Sequence, residues 1–245
     1  MRILIVEDEE ALATGLQFNF EQEGYRVTVA ADGKSALEAF QQADPAFDLV
    51  ILDLMLPGMS GYETCRSIRS MNQQIPVLVL SARTLSQDKA LAFDAGSDQY
   101  MTKPFALPEL LSRVRNLIER HSKPQSDTDA TNTVMLESFQ FGDRIHIDFS
   151  RFQIDVRGKT FDLTTKELQL LRYLVTHEGL VVSRAQIMED VWEESVDLTT
   201  RTIDNFVLRL RRYIEPDPAN PQHILSVRGT GYRFVSEFTS HNRLS

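Results

Sequence analysis

Arg2-Ile3-Leu4-Ile5-Val6-Glu7-Asp8 and Phe47-Asp48-Leu49-Val50-Ile51-Leu52-Asp53 are two apolar runs of strand length, each closed by acid. If both are parallel strands of one α/β sheet, their carboxyl ends point the same way. Glu7, Asp8 and Asp53 then meet at the edge where open α/β sheets bind ligands. Three like charges so close cannot all stay ionised without a cation. The pattern predicts a divalent metal and, facing it, something anionic.

Outward from these runs, strand-length apolar segments alternate with helical patterns from Met1 to His121, which is the grammar of a doubly wound parallel sheet. Five strands are read near 2–6, 25–30, 48–53, 76–81 and 98–102, each apolar enough to be covered on both faces. Residues 122–136 are polar, without aromatic side chains, and read as a linker. Beyond it, short runs rich in Phe, Ile and Val from Glu137 to Phe161 predict a small antiparallel sheet. Thr164-Thr165-Lys166-Glu167 is a capping box that opens a helix, Ser183 starts a second that runs through Trp192, and Asp197 or a nearby Thr starts a third that Pro216 ends. A hairpin around Arg228-Gly229-Thr230-Gly231 closes the unit. The expected organisation is an α/β domain over 1–121, a linker over 122–136, an α+β winged helix-turn-helix domain over 137–238 and a tail over 239–245.

The totals agree with this division. The chain has 245 residues, 42% hydrophobic and 25% charged, enough for two modest domains. Its single cysteine, Cys65, forms no intrachain disulfide, and no Cys/His cluster has zinc spacing, so a reducing interior is expected. The start of the chain reads as neither a signal peptide nor a membrane span, which predicts a cytoplasmic protein. A net charge of -9 argues against a generic nucleic-acid coat, yet residues 198–233 hold six Arg against three acids and predict one local basic face.

Two further residues belong with the three carboxylates: Ser81 finishes the run Pro76-Val77-Leu78-Val79-Leu80, and Lys103 follows Tyr100-Met101-Thr102. These groups suit phosphoryl transfer to a carboxylate. Asp53 is the candidate nucleophile, Glu7, Asp8 and Asp53 the Mg²⁺ ligands, and Lys103 with the Ser81 hydroxyl neutralises phosphoryl oxygens. A cis Lys103–Pro104 bond would aim the ammonium inward. A magnesium phosphatase with an Asp nucleophile is the enzymatic alternative, but such enzymes usually place a second Asp two residues on, where Met55 stands here.

In the third C-terminal helix Ile203, Phe206, Val207, Leu210 and Ile214 recur at helical spacing and are expected in the core. The opposite face then carries Arg201, Asn205, Leu208, Arg209 and Arg212, and Arg and Asn are shaped for bidentate contacts to base edges in a major groove. Arg228, in a Gly-flanked turn, is free to reach a minor groove or a phosphate.

Through Val6-Glu7-Asp8-Glu9, Leu52-Asp53-Leu54-Met55-Leu56-Pro57-Gly58-Met59-Ser60-Gly61, Ser81-Ala82 and Lys103-Pro104-Phe105, the first 121 residues resemble the response-regulator receiver domain of two-component signalling. The second half resembles the winged-helix effector of the OmpR/PhoB subfamily through Leu163-Thr164-Thr165-Lys166-Glu167-Leu168, Arg201-Thr202-Ile203-Asp204, Arg209-Leu210-Arg211 and Val227-Arg228-Gly229-Thr230-Gly231-Tyr232-Arg233-Phe234. The resemblance implies a transcription factor rather than an enzyme, phosphorylated on Asp53 by a histidine kinase, with Ser81 and Tyr100 as the switch pair. It also implies promoter DNA as partner, with the third helix in the major groove, Arg228 in the minor groove, and Thr202 and Ser226 near phosphates. RNA polymerase would meet the segment between Trp192 and Thr199, acidic at Glu193, Glu194 and Asp197. Phosphorylation would stabilise a homodimer through ion pairs, at matching positions Lys89 with Glu109 and Asp98 with Arg113, while Gln99 replaces the acid that would meet Arg120. Two rivals stay open at this point: a magnesium-dependent phosphohydrolase with an appended binding module, and a receiver whose winged unit binds only protein.

Overall fold

A computed structural model of the chain describes residues 1–44, 46–122, 137–142, 144–192 and 200–237, with the side chains of residues 120–122, 200 and 201 outside the description. The chain divides into two compact units, Met1–Asp129 and Ala130–Ser245. The expected linker beyond Ser122 and the expected tail fall outside the described residues.

The first unit runs β1 (Arg2–Val6), α1 (Glu10–Gln22), β2 (Arg26–Ala30), α2 (Gly33–Gln42), β3 (Leu49–Asp53), α3 (Gly61–Met71), β4 (Val77–Ser81), α4 (Ser86–Asp94), β5 (Gln99–Thr102) and α5 (Leu107–Ser122). Its five strands are all parallel, in the order β2-β1-β3-β4-β5. Alternation along the strands sends Ile3, Ile5, Ile51 and Leu80 to one core, shared with Leu16 and Phe20 of α1 and Leu110 and Val114 of α5. Leu4, Val6, Val50 and Leu52 enter the other, beneath Ala36 of α2 and Cys65 and Ile68 of α3. Apolar side chains on both faces explain why these runs lack a polar face in the sequence.

The strand order reverses between β1 and β3, and that crevice is where Glu7, Asp8 and Asp53 arrive. The turn after Asp53 returns tightly. Gly61 sits so close to β3 that a Cβ there would run into the Asp53 carbonyl oxygen and the Leu54 Cα. Ser60 and Glu63 then cap α3 reciprocally.

The second unit opens with an antiparallel four-stranded meander, β6 (Ser138–Phe141), β7 (Ile145–Asp148), β8 (Gln153–Val156) and β9 (Lys159–Asp162). Helix α6 (Thr165–Thr176) starts at the expected capping box of Thr164 and Glu167. The second helix, expected from Ser183 through Trp192, is capped by Ser183 and runs as α7 (Arg184–Ile187) into a π-helical turn, Met188–Trp192. The third, α8 (Thr200–Ile214), is followed by the hairpin β11 (Ile224–Val227) and β12 (Gly231–Phe234). A strand not foreseen from the sequence, β10 (Val181–Ser183), pairs with β12, giving a wing of order β10-β12-β11. Three residues are too few for periodicity to reveal. Gly231 permits that pairing, since a Cβ there would meet the Val182 carbonyl oxygen.

Candidate functional site

At the carboxyl edge of the parallel sheet, Glu7 and Asp53 are buried and Asp8 is exposed. One carboxylate oxygen from each lies within 4.8 Å of the other two. Lys103 Nζ donates to Asp53 Oδ2 at 2.5 Å and to Glu7 Oε2 at 2.7 Å. The Met55 N–H donates to Asp53 Oδ1 at 2.8 Å. The Lys103–Pro104 peptide is cis, as the sequence suggested.

The electrostatics of this cluster are unequal. Burial pushes the Glu7 carboxyl above its ordinary value, outweighing the hydrogen bond and charge of Lys103 that favour the anion. For Lys103 burial works against the ammonium, but the hydrogen bonds and charges of Asp53 and Glu7 win and hold its pKa above the usual lysine range. A single cation therefore serves two buried carboxylates, with an exposed third beside them. Three hard oxygen donors opening to solvent at Asp8 form a donor set that fits a small divalent cation.

Ser81 is fully buried, and its hydroxyl accepts the Arg83 N–H at 3.3 Å. The Tyr100 hydroxyl donates to the Arg83 carbonyl at 2.7 Å. Burial raises the Tyr100 pKa, and Ser81 and Tyr100 share a partner, since both hydroxyls bond to the main chain of Arg83. Sequence reasoning missed Arg83, which also reaches Asp88 on α4 at 2.7 Å and Met55 Sδ at 3.0 Å. Its signal was present: it stands two residues past Ser81, just beyond a strand end.

On α8, Ile203, Phe206, Val207, Leu210 and Ile214 are buried as expected. Leu208 is 42% exposed, and Arg212, Ser226 and Arg228 reach solvent. Asn205 is partly buried, and the Arg201 side chain lies outside the described residues. The Arg209 guanidinium stacks 4.2 Å from the Phe206 ring centroid and stands 3.8 Å from Glu167 Oε1. Arg184 donates to Asp204 Oδ1 at 2.8 Å and to the Tyr232 hydroxyl at 3.2 Å.

Comparison with known proteins follows the same division. The family model "Response regulator receiver domain" matches residues 3–115, and "Transcriptional regulatory protein, C terminal" matches residues 158–234. The chain is 41% identical to the sensory transduction protein RegX3 of Mycobacterium tuberculosis over 231 residues, 94% of this chain and 97% of that protein. It is 33% identical to the Thermotoga maritima response regulator DrrB, an OmpR/PhoB homologue, over 96% of this chain and 98% of that one, with a TM-score of 0.46. A point mutant of RitR shares the fold at a TM-score of 0.70 and 22% identity, covering 96% and 99% of the two chains.

The chain belongs to the OmpR/PhoB response regulators. It joins a receiver domain to a transcriptional regulatory domain. Among the described residues no helix is long and apolar enough to cross a membrane.

Two site residues carried over from the OmpR/PhoB pattern are corrected by the structure. Asp98 was expected to pair with Arg113 across a dimer, but it is 1% exposed and its Oδ2 receives Arg69 Nη2 at 2.6 Å and the Val77 N–H at 2.7 Å. Arg69 also donates to the carbonyls of Gly96, Gln73 and Ile75, so this pair ties α3 to the start of β4 and to the turn before β5. Thr202 was expected near a phosphate. It is wholly buried, because it lies one turn before Phe206 on the core side of α8. Of the other expected pairing partners, exposed Glu109 accepts two hydrogen bonds from partly buried Arg113 of its own helix, partly buried Lys89 lies 6.0 Å from the Tyr100 ring centroid, and the Arg120 side chain lies outside the described residues.

Proposed function

We propose that Asp53 of this response regulator accepts a phosphoryl group from a sensor histidine kinase, and that phosphorylation favours a homodimer that binds promoter DNA and regulates transcription. The observation that carries the reading is the group of three carboxylates within 4.8 Å, with Lys103 bonded to Asp53 and Glu7. An Asp53 oxygen attacks phosphorus, the bond from phosphorus to the donor histidine breaks, and an acyl phosphate forms. Lys103 exchanges a carboxylate oxygen for a phosphoryl oxygen, and the Ser81 hydroxyl turns to another. Glu7, Asp8 and Asp53 would hold Mg²⁺, which supplies charge neutralisation for the incoming oxygens. Movement of Ser81 is passed to Tyr100 through the main chain of Arg83, to which both hydroxyls bond.

The same reading assigns residues 1–121 to the receiver, 122–136 to a linker, 137–238 to the effector and 239–245 to a tail, in a cytoplasmic protein. Arg201, Asn205, Leu208, Arg209 and Arg212 face a major groove, Ser226 a phosphate and Arg228 a minor groove. Lys89 and Glu109 pair across the dimer with Arg113 beside them, and residues 193–199 meet RNA polymerase. Tethering two effectors raises the effective concentration of the second over an adjacent half-site.

The test is incubation of the full chain and of Asp53→Asn with a small phosphodonor and Mg²⁺. Intact mass should show one phosphoryl group on the wild type and none on the variant, and only the phosphorylated protein should dimerise and bind its own promoter tightly. Equal promoter affinity with and without phosphodonor would count against the reading. Steady release of phosphate from an exogenous phosphomonoester would favour the phosphohydrolase instead.

A further inference from the structure

Arg211 lies outside every functional role assigned above, yet its guanidinium is anchored within the protein. Its Nε and Nη2 both donate to the carbonyl oxygen of Ile224, at 3.0 and 2.6 Å, and Nη2 also donates to Ser226 Oγ at 2.9 Å. Ile224 and Ser226 lie on β11, which is an edge strand of the wing. An edge strand leaves backbone groups unpaired, and Ile224 has both of its groups met from the helix side. Its carbonyl is taken by Arg211, and its N–H by Glu215 Oε1 at 2.8 Å. Arg211 and Glu215 stand four residues apart, one helical turn.

A second fastening lies about two turns earlier on α8, roughly 10 Å along the axis. Asp204 Oδ1 receives the Tyr232 hydroxyl at 2.5 Å, and Tyr232 belongs to β12, in register with Ser226 of β11. The Tyr232 ring has Arg184 at 4.7 Å and Arg211 at 5.9 Å from its centroid. Two fastenings separated along a helix fix both distance and direction, whereas one would leave a pivot. Arg228 sits in the turn just past Ser226, so its reach relative to α8 follows from the hairpin's direction.

We propose that Arg211 is a positioning residue for DNA recognition: it braces the wing against α8, so that the contacts of α8 in one groove and of Arg228 in the next are held in register, and it does not itself neutralise a phosphate. The proposal rests on the reading that α8 and the wing bind duplex DNA. Bidentate donation to a carbonyl is a property of the planar guanidinium fork, which a lysine ammonium does not reproduce. Lysine does serve as a point charge for a phosphate. Arg211→Lys therefore separates a brace from a phosphate contact.

The experiment uses the phosphorylated full chain. A duplex is first selected from a random library by the wild type, and affinity for that duplex and for a shuffled version is measured over a series of salt concentrations. For both Arg211→Lys and Arg211→Met, preference for the selected duplex should fall about tenfold. Affinity for shuffled DNA, and the slope of log K against log salt, should stay at wild-type values. Fluorescence of Trp192, the chain's single tryptophan, and thermal unfolding report whether each variant is folded. Wild-type behaviour of Arg211→Lys, together with a slope reduced by about one in Arg211→Met, would make Arg211 a phosphate contact and overturn the brace. A wild type that selects no duplex would instead overturn the DNA-binding reading itself, and the brace with it.

Discussion

At the carboxyl edge of the parallel sheet the charged groups are buried and bound to one another, with Lys103 spanning Glu7 and Asp53. Along α8 and the wing, by contrast, Arg212 and Arg228 stand toward solvent while Arg211 is committed to the protein and Arg209 leans on Phe206. The first arrangement is a site under internal electrostatic load that a cation and a phosphoryl group would relieve. The second is a surface in which arginines of identical chemistry divide between holding the fold and meeting a partner. Burial tells them apart and residue type does not.

The largest effect separates a structural ion pair from a functional one inside the first unit. Arg69–Asp98 and Lys103–Asp53 are both close, buried pairs, with the Arg69 side chain 7% exposed and Lys103 17%. Arg69→Met leaves Asp98 uncompensated in the core and should lower the unfolding free energy by about 3–5 kcal/mol, with no recovery on adding Mg²⁺. Lys103→Met leaves Glu7 and Asp53 facing each other at a solvent-open edge, so its destabilisation should be largely restored by millimolar Mg²⁺. Denaturant unfolding with and without the metal measures both. Equal Mg²⁺ rescue of the two variants would erase the distinction.

These two pairs also show what the sequence carried and what it did not. Glu7, Asp53, Ser81 and Lys103 were legible because strand ends of one parallel sheet share an edge, so five strand assignments place all four together. Arg69 was not legible, since its partner Asp98 is far along the chain and looks like a surface acid at a strand start. Only the turn at Gly96 brings it inward, where a Cβ on Gly96 would meet the Arg69 side chain. The placement of Asp98 at a dimer surface came from the resemblance, which carries a position over without the Arg69 that holds it here. On α8 the period-3.6 pattern located the core face correctly and, carried one turn back from Phe206, reaches Thr202, which the resemblance had set near a phosphate; it gave no means of seeing that Arg211 turns to β11. Strand β10 escaped because its partner β12 is remote in sequence.

A smaller effect tests the load on the first site through pH. Because burial raises the Glu7 pKa above its ordinary 4.5, the folded state takes up a proton more readily than the unfolded chain. The stabilisation from that proton is present at low pH and is lost as pH rises through the raised folded value. In the absence of divalent metal, thermal stability of the wild type should therefore decline over that window relative to Glu7→Gln, whose profile should be flatter. Saturating Mg²⁺ should bring the two closer. Parallel profiles for wild type and Glu7→Gln would show that Glu7 carries no such load.

The second region offers a matching contrast between an exposed arginine and a supported one. Arg228→Ala should weaken binding to selected and shuffled duplexes alike and reduce the slope of log K against log salt by about one. Arg209→Ala should relax discrimination at one base position, with a smaller change in slope, because its guanidinium is held toward α8 by Phe206 and Glu167. Identical losses for both on both duplexes would remove the division between reading and anchoring.

The smallest effect concerns Glu109, at the surface of the first unit. Its Oε1 accepts Arg113 Nε at 3.1 Å and Nη2 at 2.9 Å within one helix, and its side chain is 52% exposed. An i,i+4 pair of this kind contributes about 0.2–0.5 kcal/mol, so Glu109→Gln should leave folding stability almost unchanged. If the same carboxylate also meets Lys89 of a second copy, the phosphorylated dimer should weaken by a few-fold, on the order of 0.5–1 kcal/mol, as measured by sedimentation across a concentration series. With Asp98 withdrawn into the core and Gln99 uncharged, Lys89–Glu109 is the pair left to carry that contribution between copies. A dimer constant unaffected by Glu109→Gln would therefore leave apolar contact alone to account for association, and would confine Glu109 and Arg113 to their own helix.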